Sequence, residues 1–358
     1  MAPWVLHVDM DQFIAAVEVL RHPHLAGLPV IVGGRGDPTE RGVVSTASYE
    51  ARAFGVRSGM PLRTAVRRCP DAVVLPVDRP AYDAVSAVVM QTLRAVPGAV
   101  VEVLGWDEAF VGIEADEPEA VARRIQADVL AATDLHCTVG IGDTKVRAKI
   151  ATELGKPRGT FRLTRETWFE VMGERPTKQL WGIGPRISQR LAALGIVTVT
   201  DLAGAEDALL AREFGPRTGP WIGELGRGES SATVDDTPWV ARAHGRETTF
   251  QQDLGTPEEV EDALQVLAGQ VVDDIRAEGR DCARVHLKVR FVPFFTVNRS
   301  RKLAEPTSHA AAISGTAIDL YRRMADERPV RLLGIRAEMV PPEGGYDAPR
   351  THGRRGMP

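Results

Sequence analysis

The run Val101-Glu102-Val103-Leu104-Gly105-Trp106-Asp107-Glu108-Ala109-Phe110-Val111 decides how the rest of the chain is read. A valine-rich segment breaks at a glycine, two adjacent carboxylates follow, and the apolar segment resumes, which predicts strand, tight turn, strand. In a regular strand neighbouring side chains point to opposite faces, so Asp107 and Glu108 would not meet one ligand. At a glycine-opened tip that alternation relaxes, and both can face one spot. Carboxylates beside a sheet core are costly unless something positive compensates them. Alone, the pattern describes an ordinary exposed hairpin turn. A third carboxylate changes its meaning.

That carboxylate lies in Trp4-Val5-Leu6-His7-Val8-Asp9-Met10-Asp11-Gln12-Phe13-Ile14-Ala15-Ala16-Val17-Glu18. Residues 5–8 read as a buried strand ending on Asp9. Asp11 is placed to cap a helix whose Phe13, Ala16, Val17 and Leu20 recur at helical spacing. Asp9 then falls beside a helix N-terminus, whose free amides favour anions. If the two strands are sheet neighbours, Asp9, Asp107 and Glu108 form a cluster whose self-repulsion calls for divalent cations. All-oxygen ligands suit Mg²⁺, which keeps waters and takes its remaining ligands from substrate phosphates. Two such ions about 4 Å apart clamp the attacking and leaving oxygens of a phosphoryl transfer.

A chain of 358 residues suggests two to four domains. No apolar run approaches a membrane span, and the N-terminus lacks the layout of a signal peptide. Cys69, Cys137 and Cys282 are far apart and odd in number, so a reduced, cytoplasmic protein is expected. The net charge of −4 argues against nucleic-acid binding only as a whole-chain average; phosphate contacts need a local basic face. Such a face is expected late in the chain. Thr256-Pro257-Glu258-Glu259 is a capping box opening a long helix, and 283–295 then alternate as a strand. Every charged residue from 284 to 302 is basic: Arg284, Lys288, Arg290, Arg299, Arg301 and Lys302.

The stretch Trp181-Gly182-Ile183-Gly184-Pro185-Arg186, continuing to Gly195, predicts a helix–hairpin–helix. Glycines let the backbone approach a DNA phosphate, and the proline-opened helix offers free amides. Contacts of this kind bind without reading sequence.

Asp9-Met10-Asp11-Gln12-Phe13, Tyr49-Glu50-Ala51-Arg52 and Asp107-Glu108 occur in the order, and near the spacing, of the Y-family translesion DNA polymerases. From about residue 4 to residue 339 the chain resembles the bacterial DNA polymerase IV (DinB) class. The resemblance implies an α+β multidomain, right-hand fold. The palm would be 1–27 and 76–165, the fingers 28–75, and the thumb with its helix–hairpin–helix 166–230. A linker, 231–242, would lead to the little finger, 243–340, and a disordered tail, 341–358. The implied activity is low-fidelity, DNA-templated DNA synthesis past lesions, with Asp9, Asp107 and Glu108 catalytic. Two Mg²⁺, replaceable by Mn²⁺, would sit on these carboxylates and the Met10 carbonyl. Gln12, Phe13, Ile14, Thr46, Tyr49, Arg52 and Lys156 would hold the incoming dNTP; Tyr49 and Arg52, three apart, share a helix face. Gly182, Gly184, Arg186 and the late basic residues would hold primer–template DNA. A catalytically idle DNA-binding scaffold is the alternative, opposed by the intact carboxylates.

The chain departs from the family pattern at Gly105, Trp106 and Gly112, where Ser, an aliphatic residue and Asp are usual. At Ile14 the family carries Phe or Tyr, whose ring blocks a ribose 2′-hydroxyl, so weak exclusion of rNTPs is expected. The final residues lack the Gln-rich, apolar peptide by which relatives dock on a sliding clamp, so that route is not expected. A monomer independent of membranes is.

Overall fold

The computed structural model describes residues 2–346, which fall into two compact units, one ending at Thr237 and the other beginning at Pro238 and including Thr39–Arg41. The first unit is organised by β1 (Ala2–Met10), which runs between β6 (Glu108–Ala115) and β7 (Cys137–Gly142). β5 (Val100–Val103) and β8 (Thr160–Leu163) complete a sheet of order β5-β6-β1-β7-β8, antiparallel except for β7–β8. The hairpin expected around Gly105 is present. β1 is antiparallel to β6, with Asp9 opposite Glu108, so the two strands are the neighbours the cluster requires.

Strand alternation sends Leu6, Val8 and Met10 to one face, where they join Val111, Tyr82, Ile125 and Val129 in the main core beneath the helices Arg79–Arg94 and Pro118–Thr133. His7, Asp9, Glu108 and Phe110 share the other face, and the helix Lys145–Gly155 lies over it. That close approach depends on β7 having no side chain at Gly140: a Cβ there would stand 2.1 Å from the Ala148 carbonyl oxygen.

β2 (Val30–Gly33) lies between β3 (Val44–Ala47) and β4 (Val73–Leu75), with the short helices Tyr49–Ala53 and Leu62–Arg68 packed around Ile31, Val44, Ala51 and Leu62. Next comes an all-helical block cored by Trp168, Leu180, Leu191 and Ile222. Its helix–hairpin–helix begins with a single 3-10 turn, Thr177–Gln179, where a helix end was expected. Gly182 takes φ +96°, and Gly184 precedes the helix Pro185–Ala193.

The expected tether is partly held down. Residues 229–241 have no regular secondary structure, yet Ser231 O accepts the Lys145 amide (3.0 Å) and the Asp235 amide donates to Glu102 Oε2 (3.0 Å). Val234 packs on the sheet where Gly112 leaves room; a Cβ at 112 would meet Val234 Cβ at 3.0 Å. The Gly112 departure thus has a packing reason.

The second unit is the antiparallel sheet β11-β10-β12-β9: β9 (Ala243–Leu254), β10 (Cys282–Phe291), β11 (Phe295–Thr307) and β12 (Val330–Met339). The helices Pro257–Ala277 and Ala310–Arg322 cover one face, and the Thr256/Glu259 capping box is formed. Of the expected tail, 341–346 are described, with Arg242 over the Tyr346 ring at 4.8 Å; 347–358 lie outside the described residues.

Candidate active site

Three elements build the site: the end of β1, the β5–β6 turn, and the helix Lys145–Gly155 with the residue after it. The Met10 amide donates to the Asp107 carbonyl (2.9 Å), pinning the turn against the strand end. Asp9 and Glu108 face the helix from neighbouring strands, and the helix answers with a row of lysines. Lys145 pairs with Glu102 (2.5 Å), Lys149 with Glu108, and Lys156 with Asp9 (2.9 Å).

The carboxylates differ in electrostatics. Burial pushes Asp9 up to about 6, against the downward pull of Lys156. Burial and the neighbouring Glu108 also raise Asp107. Burial acts upward on Glu108 too, but the hydrogen bond from His7 and the charge of Lys149 prevail and hold it at about 2. His7, fully enclosed, is pushed down to about 4 by burial. Its Nδ1 lies 2.8 Å from Thr152 Oγ1 and its Nε2 3.2 Å from Glu108 Oε2.

Candidate ligand atoms of His7, Asp9 and Glu108 lie within 4.8 Å of one another; Asp107 is not in that group but lines the adjoining cavity. The donor set fits a hard divalent cation. Its oxygens are carboxylates, and Asp9 and Asp107 are held above their ordinary range chiefly by burial, with a smaller push from the neighbouring acids, a cost that a bound cation would offset.

A cavity of about 330 Å³ opens beside the carboxylates, lined by Asp9, Met10, Gln12, Phe13, Ile14, Ser45, Thr46, Arg52, Ser58, Trp106, Asp107 and Lys156. Most residues expected at the nucleotide therefore share one space. Tyr49 does not line it: its hydroxyl donates to Asp11 (2.8 Å) and Arg52 stacks on its ring at 5.2 Å. Of the two residues expected to converge on phosphates, Arg52 lines the cavity, while the Tyr49 phenol is held by Asp11. Asp11 is also not the helix cap. Gln12 takes that place with φ 45° and no side-chain cap bond, while Asp11 accepts from Tyr49, Thr138 (3.0 Å) and the Arg158 amide (2.8 Å).

The sequence reading gave no site role to His7, Lys149 and Ser45. Alternation from Asp9 places His7 on the carboxylate face, and Lys145 and Lys149 are one turn apart. Both signals were legible once the strand order was known.

The late basic stretch is divided. Cross-strand register puts Arg284, Lys288, Arg290 and Lys302 on the open face of the second sheet. Arg299 and Arg301 sit opposite the inward-facing Leu287 and Val285, and Arg301 pairs with Asp319 on the covering helix (3.1 Å). The open face is also of mixed sign: Glu247 bonds Lys288 (2.8 Å), and Glu338 lies 3.8 Å from Arg284. A single all-basic face was expected; period-two alternation and the acids of β9 and β12 divide it. In the first unit, Arg186 is exposed and a Cβ at Gly184 would meet nothing within 4 Å, leaving that helix end open.

The acidic strand pair under a cavity, the neighbouring three-stranded block, the helix–hairpin–helix and the separate C-terminal sheet define a right-hand DNA polymerase of the Y family. Residues 8–153 match the impB/mucB/samB family and residues 241–348 its C-terminal domain. DNA polymerase IV 2 of Mycobacterium tuberculosis is 48% identical over 341 residues, covering 94% of this chain and 98% of that protein. DNA polymerase IV of Methanoculleus marisnigri is 39% identical, covering 95% of each. An insertion ternary complex of Dbh DNA polymerase superposes with TM-score 0.63 at 25% identity, over 94% of this chain and 99% of that one. A Y-family chimera of Dbh and Dpo4 shares the fold with TM-score 0.83 at 24% identity, over 94% and 98%. The chain belongs to the impB/mucB/samB family, within its DNA polymerase IV (DinB) class.

Proposed function

We propose that this DNA polymerase performs low-fidelity translesion synthesis at the Asp9–Asp107–Glu108 site, where a primer 3′-hydroxyl attacks the α-phosphate of a dNTP and pyrophosphate leaves. The supporting observation is the juxtaposition of Asp9, opposite Glu108 in the sheet, with a cavity that also collects Thr46, Arg52 and Lys156. Asp9, Asp107, Glu108 and the Met10 carbonyl would hold divalent cations, Mg²⁺ first and Mn²⁺ in its place, which would supply charge neutralisation at the reacting phosphate and acidify the attacking hydroxyl. Arg52 and Lys156 neutralise the triphosphate, and the Thr46 hydroxyl donates to it. Lys156 exchanges its carboxylate partner Asp9 for phosphate oxygens when the nucleotide enters. Tyr49 joins them only by giving up Asp11. Gln12 and Phe13 bound the sugar side with Ile14, which has no planar ring to exclude a 2′-hydroxyl, so ribonucleotides enter more readily than in relatives with an aromatic residue there.

Primer–template DNA lies against the amides after Gly182 and Gly184, Arg186, and the open-face cations of the second sheet. The three-stranded block carries Ser45 and Ser58 toward the cavity, small residues that enclose a nascent pair weakly and so tolerate damaged bases. The enzyme acts on DNA as a cytoplasmic monomer. No described helix is long and apolar enough to cross a membrane.

Primer extension on undamaged and lesion-bearing templates tests this reading. Asp107→Ala is expected to abolish extension in Mg²⁺ while leaving primer–template affinity near that of the wild type. Normal extension by the variant would remove Asp107 from the chemistry; binding without extension by the wild type would favour the scaffold.

A further inference from the structure

The β10–β11 hairpin tip carries two large aromatic side chains in solvent: Phe294 is 67% and Phe295 53% exposed. Neither belongs to the sheet core, and neither takes part in the proposed chemistry. Exposed rings at a sheet end are a liability unless they have a use. Here three guanidiniums are arranged on them. Arg331 lies 4.8 Å and Arg290 6.0 Å from the Phe294 ring centre; Arg328 lies 4.4 Å from that of Phe295.

The backbone is built to place these cations. Register shifts on both sides of β12 leave Arg331 without a cross-strand partner, a bulge that turns its side chain toward the tip. Arg290 is steadied by Thr296 (2.9 Å) and Arg328 by Asp326 (2.5 Å). Asp326 offsets one of the three charges; the other carboxylate near Arg331, Asp253, is paired with Arg41.

A ligand for this tip must offer flat π-faces and repeated negative charge together. Inorganic phosphate would leave the rings unused, and an apolar peptide would leave the guanidiniums unused. Unpaired nucleobases on their phosphate backbone satisfy both. We propose that Phe294 and Phe295, with Arg290, Arg328 and Arg331, form a stacking platform for single-stranded nucleic acid at the hairpin tip, adjoining the open sheet face and sharing Arg290 with it. The proposal goes beyond the polymerase reading and does not rest on it, since binding is read without synthesis.

The test uses the full chain and a short single-stranded oligonucleotide carrying 2-aminopurine, whose emission falls or rises as it restacks. The wild type should change that emission on binding and should bind a fully abasic strand of equal length at least about tenfold more weakly. Phe294→Ala/Phe295→Ala should abolish the emission change and weaken single-strand binding by a similar factor, with blunt-duplex affinity unchanged and Phe294→Tyr/Phe295→Tyr restoring it. Equal wild-type affinity for the abasic and the normal strand would overturn the platform without any variant. So would a double-alanine protein with wild-type circular dichroism and undiminished single-strand binding; the tip would then be a protein-docking site.

Discussion

Lys149 Nζ and His7 Nε2 both reach Oε2 of Glu108, so a lysine stands on the oxygen a cation would take. The pair is partly buried, and removing one member leaves a carboxylate short of partners. Lys149→Met is expected to destabilise the metal-free protein by about 1–2 kcal/mol, discounted for solvent screening. Mg²⁺ or Mn²⁺ should then raise its melting temperature more than that of the wild type, because the ion no longer displaces a lysine. Equal metal-induced shifts in thermal melts would show that the two do not compete. Ile14 is both core and wall: it is 9% exposed, packs in the main core and lines the cavity. Ile14→Phe is expected to lower the ratio of ribonucleotide to deoxynucleotide insertion by about tenfold, or about 1.4 kcal/mol. It should also cost about 1–3 kcal/mol of stability through overpacking. The ratio of insertion efficiencies is the measurement to make, since the absolute rate carries both effects. An unchanged ratio would assign the barrier to Phe13.

Among the elements, the helix Lys145–Gly155 matters most to the site, because it carries Lys145 and Lys149 and delivers Lys156 just past its end. Its height above the sheet is set by Gly140 as much as by its own sequence. Gly140→Val places side-chain atoms where the Ala148 carbonyl and the Thr152 amide now lie, the latter 2.3 Å from the nearest added carbon. The helix must lift. A loss of several degrees in melting temperature is expected, together with a larger loss of extension than of DNA affinity, since the lysine row moves while the DNA-facing elements do not. Extension and binding falling in equal proportion would mean the helix serves stability alone. The β5–β6 turn was legible from Gly105 and the paired acids. The role of Asp11 was not, because a residue in cap position before a helix gives no sign that three groups distant in sequence will claim its oxygens.

Across the whole molecule, DNA affinity depends on which cations share a face. Neutralising Lys302 and Arg290 by Gln is expected to flatten the slope of log affinity against log salt by about one for each DNA phosphate left without its cation. Neutralising Arg299 and Arg301 should change it less, since they belong to the helix-covered side and Arg301 already has Asp319. Removal of everything from residue 242 on should flatten the slope further and weaken binding. Equal effects from both pairs would show that the sheet does not meet DNA through its open face.

From residue order alone came the acidic hairpin, the third carboxylate at a strand end, the helix–hairpin–helix glycines and the capping box at Thr256. Each is local: hydrophobic period, turn chemistry and caps act over a few residues, so a linear reading captures them. The pairing of β1 with β6 came from the tertiary structure, as did the lysine row, the hold of Asp11 on Tyr49 and the division of the late basic stretch. These depend on which strands become neighbours and which face each turns inward. Those choices are made by burying apolar surface across the whole sheet, a sum over distant residues that no single stretch contains.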